Sequence, residues 1–114
     1  MAATLTSQQA LKLWHQTLVS SVRSEGPDLS ARQMALFLQV YLESPPHTVR
    51  GLAAALQISK PAVVRALDTL GRLDFTRRRR DQSDKRNVLI QRTVKGSVFL
   101  SEFAEWVVSA SDTV

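Results

Sequence analysis

The spacing of apolar residues changes along the chain, and that change restricts the fold most. Up to Leu73 apolar residues recur at intervals of three and four. From Phe75 to Gln91 they alternate with polar ones, and from Thr93 the helical interval returns. The first interval lines one face of a helix, and alternation lines one face of a strand. The chain therefore reads as mainly α with one small hairpin, in the order α-α-α-α-β-β-α. Its 114 residues, 44% of them hydrophobic, suit a single domain over 1–114 with one core.

Local signals place the elements. Thr6-x-x-Gln9 can cap a terminal helix over 7–24, with Leu11, Trp14, Leu18 and Val22 on one face and Gly26-Pro27 beyond its end. Ser30-x-x-Gln33 is a second capping box, and Met34, Phe37, Leu38, Tyr41 and Leu42 follow as one apolar face. Pro45-Pro46 stops that helix.

Residues 48–73 read as two short helices joined at Gln57-Ile58, the helix-turn-helix pattern. Thr48 caps the first, with Val49, Leu52, Ala53 and Leu56 inward. Ser59 caps the second, where Pro61 falls in the tolerant first turn. Val63, Leu67 and Leu70 face inward, which leaves Lys60, Ala62, Arg65, Thr69 and Arg72 on the outer side. Residues 75–91 read as a hairpin, with strands Phe75 to Arg80 and Lys85 to Gln91 about a four-residue turn. Thr93 opens a last helix over 93–110, with Phe99, Phe103, Trp106 and Val107 as its stripe. A hairpin behind a helix-turn-helix is a wing, so the fold class is a winged helix-turn-helix.

Charge points to a partner. The chain carries +5 overall, but residues 46–100 hold twelve Lys and Arg against four Asp, a net of +8. Arg77 to Arg80 are consecutive, and folding alone gives little reason to gather them. A segment this basic is the footprint of a nucleic-acid-binding face, or else a solvated surface. A four-arginine run also matches a nuclear-localisation pattern, which is of low specificity.

Within the helix-turn-helix, Ser59, Lys60, Pro61, Ala62 and Arg65 stand where a recognition helix reads base edges. Arg65 is the candidate for guanine; its alternative is a surface salt bridge to Asp68. Thr48 and Arg50 are candidates for phosphate. In the wing, Arg77 and Arg79 face one way and Arg78 and Arg80 the other, so the four cannot share one flat surface. Arg77, Arg78, Arg80 and Lys85 are the DNA-binding candidates there, with two of the four arginines expected to follow phosphates and the others to be solvated or to pair with Asp81, Asp84 or the duplex edge. Asp84 and Arg86, two apart, would share a strand face, either as a wing-stabilising pair or as a groove-reading one.

RALDTLGRLDFTRRRRDQSDKRNVLIQRTVKG, residues 65–96, resembles the multiple-antibiotic-resistance regulator (MarR) family of bacterial transcription factors. Asp84-x-Arg86 and Thr93-x-x-Gly96 carry the resemblance, with Arg65, Asp68, Leu70 and Arg78 also in place. It implies a sequence-specific double-stranded DNA-binding regulator, with Asp84 fixing Arg86 for the minor groove. It implies a homodimer through the terminal helices, where Trp14 and Trp106 are either core or seam. It also implies an aromatic effector, which no residue here identifies. Three departures stand out: Asp74 replaces a glycine, Arg92 replaces a leucine, and the terminal helices are shorter than usual. Rival readings are a non-specific nucleoid or phage DNA-binding protein and a protein-binding winged helix.

Other classes find no support. There is no cysteine, and neither His15 nor His47 has metal-ligand company, so no metal, cofactor or enzyme is expected. The N-terminus lacks a signal-peptide pattern and no run suits a membrane span, so a cytoplasmic protein is expected.

Overall fold

The computed structural model describes residues 4–114. Its elements are α1 Ser7–Arg23, α2 Ala31–Leu42, α3 Val49–Leu56, α4 Lys60–Arg72, β1 Thr76–Arg80, β2 Val88–Arg92 and α5 Val94–Asp112. The order is the one the periodicity demands. Both capping boxes form: Thr6 and Ser30 each accept from the backbone N–H three residues on, while Gln9 and Gln33 reach back. Contacts divide the described residues into two compact units, Leu29–Val98 and residues 4–28 with Phe99–Val114.

In the first unit the core is Leu36, Phe37 and Val40 of α2, Leu52 and Ala53 of α3, and Val63, Ala66, Leu67 and Leu70 of α4. Phe75 stacks on Phe37 at 5.2 Å, and Ile90 closes the core from the wing. The expected face of α2 is corrected: Leu36 and Val40 point inward beside Phe37, while Leu42 is 75% exposed. Nearly every side of this helix is apolar, so its period is ambiguous, and packing against α4, α3 and β2 selects the face.

The wing departs from expectation at its tip. β1 and β2 pair antiparallel from Thr76↔Arg92 to Arg80↔Val88, so β2 begins at Val88 and residues 81–87 form the turn. Asp81 N–H donates to Asn87 O at 3.0 Å and Asn87 N–H to Asp84 O at 2.9 Å. The Asp81 and Asp84 carboxylates also take the N–H groups of Ser83 and Arg86. Such local aspartate bonds compete with the ladder and shorten the strand. On its other edge β2 meets the stretch before α3: Ile90 N–H donates to His47 O, and Thr48 bridges Leu89. His47, in the loop between α2 and α3, is buried with Nε2–H donating to Glu43 O at 3.2 Å.

In the second unit α1 turns its expected apolar face outward. Leu11 is 71% exposed and Val22 74%, with Trp14 and Leu18 exposed beside them. Thr17 is the buried residue, its hydroxyl donating back to Leu13 O at 2.8 Å. On α5, Phe103 and Ala110 are buried, and Trp106 meets Phe103 edge-on at 5.8 Å.

Candidate nucleic-acid interface

Two helix starts and the wing tip converge. The Thr48 hydroxyl accepts from Gly51 N–H at 3.0 Å and begins α3. Gln57 takes a left-handed conformation at φ 53, ending α3 and aiming the chain into α4. The Ser59 hydroxyl accepts from Ala62 N–H at 3.2 Å and begins α4. As a result Thr48, Val49, Arg50, Lys60, Arg86, Asn87 and Val88 line one open groove of about 510 Å³. No carboxylate lines it.

The hairpin turn positions Arg86. Asp84 Oδ1 accepts from both the Arg86 backbone N–H and Nε at 3.1 Å, and Oδ2 from Nη2 at 3.3 Å. The guanidinium is thus oriented while the side chain stays 90% exposed. The pair lies within a turn, not on a shared strand face as the spacing suggested. The Arg86 side chain and backbone hold the Asp84 carboxyl below its ordinary range, and the Ser83 hydroxyl and N–H do the same for Asp81. Both acids stay ionised, so the tip keeps its shape at neutral pH.

The four consecutive arginines separate as alternation requires. Arg78 stands opposite buried Ile90 and folds onto α4. Its Nη2 donates to Asp68 Oδ1 at 2.8 Å and to Val64 O at 3.3 Å. Asp68 therefore pairs with Arg78 and not with Arg65, and Arg78 ties wing to helix instead of standing free. Arg77, Arg79, Arg80 and Lys85 are exposed, without a side-chain hydrogen bond or ion pair among the described residues.

On α4, Lys60, Pro61 and Arg65 are exposed, and Ser59 is an exposed cap. Ala62 is corrected: it is only 6% exposed and packs inward with Ala66, so it has little surface for a base. Arg65 lines a separate cleft with Arg32 of α2. Among the described residues no group of three or more side chains could hold a metal, and no helix is long and apolar enough to cross a membrane.

The sequence profile of the MarR family matches residues 29–88. The chain belongs to the MarR family. No protein of curated function matches it in sequence. Three solved structures show the same winged-helix fold. A mutant MepR from a multidrug-resistant S. aureus clinical isolate superposes at TM-score 0.78 with 21% identity, over 96% of this chain and 81% of that one. The S. aureus MepR–DNA complex gives 0.70 and 23%, over 93% and 78%. The transcriptional repressor CouR of Rhodococcus jostii RHA1, bound to a 23-mer DNA duplex, gives 0.73 and 23%, over 93% and 72%.

In this MarR chain the Thr93-x-x-Gly96 signature has a structural cause. The Thr93 hydroxyl donates to Asp74 O at 2.7 Å and accepts from Gly96 N–H at 2.9 Å, which fastens the start of α5 to the end of α4. A Cβ on Gly96 would run into the Tyr41 hydroxyl and the Phe75 carbonyl. That hydroxyl accepts from Thr93 N–H and shares its proton between Thr93 O and Phe75 O. The two departures here are also accounted for. Asp74 sits at φ 60, where glycine is usual and aspartate is tolerated. Arg92 lies over the Tyr41 ring and donates to Val40 O and Glu43 O, both at 3.1 Å, satisfying carbonyls at the end of α2. Sequence reading missed Tyr41 and Arg92 as anchors. Their partners lie dozens of residues away, and no local spacing signals them.

Proposed function

We propose that this MarR-family chain is a sequence-specific double-stranded DNA-binding transcriptional regulator. One observation carries the reading: Arg50, Lys60 and Arg86, drawn from three separate elements, converge on a groove with no carboxylate in its lining. The α4 N-terminus enters the major groove, where unpaired Arg65 is placed to read guanine. Arg86, held by Asp84, reaches the adjacent minor groove, whose narrow stretches attract arginine. Arg50 and Lys60 follow phosphates between them. A second copy covers the exposed row Leu11, Trp14, Leu18 and Val22 of α1, giving a homodimer that reads a palindrome.

The test is in-vitro selection from genomic fragments, followed by affinity measurement across salt on a selected and a random duplex. Two phosphate contacts per chain, from Arg50 and Lys60, predict a slope of about −1.8 in log K against log salt for each protomer. Arg65→Ala should lose more on the selected duplex than on the random one. Equal losses on both would refute base reading. Equal affinity of the unaltered protein for both would favour a non-specific binder. Sedimentation at micromolar concentration tests the dimer, and a monomer there would exclude it.

A further inference from the structure

A second cationic cleft lies outside the wing groove and shares no lining residue with it. Its volume is about 480 Å³, and its walls are the start of α2 and the outer side of α4. Ala62 and Ala66, one turn apart and both buried, form a floor of methyl groups that leaves the trough open. Arg32 stands on one wall and Arg65 on the other. No acid lines the cleft, and among the described residues neither guanidinium has a hydrogen bond or ion pair. The polar neighbours are already engaged: Ser30 and Gln33 cap each other, and the Thr69 hydroxyl accepts from Arg72. Two unpaired guanidinium groups facing one trough repel each other until an anion comes between them. Guanidinium binds phosphate through paired, charge-assisted hydrogen bonds.

We propose that a phosphodiester of the DNA backbone seats in this cleft against Arg32, while Arg65 on the facing wall adds its positive field and keeps its donors for the base edge. Building on the DNA reading above, this extends the footprint beyond the wing groove to the start of α2. It gives Arg32, which no motif singles out, the role of a sequence-independent contact that fixes the register of α4.

Fluorescence anisotropy across salt tests it, on a random duplex of about two helical turns and on any selected one. Arg32 is exposed near the start of α2, so Arg32→Ala should fold, with circular dichroism as the check. The expected result is a slope shallower by about 0.9 and a Kd about eightfold weaker at 0.1 M salt, referred to 1 M, equally on both duplexes. Arg32→Lys should restore the slope, since the charge remains. Unchanged slope and affinity in Arg32→Ala, with the unaltered protein binding normally, overturns the cleft contact alone. Loss confined to the selected duplex makes Arg32 a base reader and overturns it too. Failure of the unaltered protein to bind any duplex at low salt overturns both this contact and the DNA reading.

Discussion

Removing one oxygen atom, in Tyr41→Phe, tests the junction that supports the wing. The phenol oxygen accepts from Thr93 N–H at 2.9 Å and lies 2.9 Å and 3.0 Å from the carbonyls of Thr93 and Phe75. The substitution keeps the ring, its edge contact with Phe37 at 5.0 Å and its place beneath Arg92. What it removes is one accepted and one donated hydrogen bond, and it leaves a part-buried backbone N–H without a partner. A net hydrogen bond contributes about 1 kcal/mol, and an orphaned buried donor costs about 1–3 kcal/mol. The expected loss is about 2.5 kcal/mol. At an unfolding entropy of about 2.1 cal/mol/K per residue over this chain, that lowers Tm by about 10 °C. Urea unfolding followed by circular dichroism gives the free energy, and a thermal scan gives the shift. A loss below about 0.5 kcal/mol would refute the reasoning, because it would mean water or relaxation replaces the hydroxyl without cost.

Three further outcomes follow from the same geometry. Gly96→Ala should destabilise by more than about 2 kcal/mol in urea, because the added methyl meets a backbone carbonyl that cannot rotate away. Gln57→Gly should stabilise by about 0.5–1 kcal/mol in the same assay, since glycine adopts φ 53 without the penalty a side chain carries. The order of the wing tip should depend on acid in one direction. The folded pKa values of Asp81 and Asp84 lie below the ordinary 3.8, so their contribution is complete above that value and is lost as pH falls through the depressed ones. Amide exchange or NMR shifts of residues 81–87 should therefore hold from neutral pH down to about 4. A transition near pH 6 would contradict the assignment.

Much of the interface was legible in the sequence because its parts are local. Caps at Thr48 and Ser59, the alternation through the wing and the pairing of Asp84 with Arg86 depend on neighbours within a few residues. Ala62 and Arg78 were misplaced for the opposite reason. Ala62 is buried although its spacing puts it on the polar side of α4. The partner of Arg78 is an aspartate ten residues away on another element.

By itself the sequence determined the order and type of the elements, since helical and strand periods, caps and breakers act over one or two turns of chain. Tertiary structure decided which apolar face α1 and α2 bury and which cations remain free. The expected row on α1 is exposed, and Leu36 and Val40 displace Leu42 on α2. Of the basic residues, Arg92 and Arg78 are consumed as anchors while Arg50, Lys60 and Arg86 are left to face a groove. The physical reason is that burial and ion pairing are settled between segments distant in sequence, where the energy of a side chain depends on what packs against it.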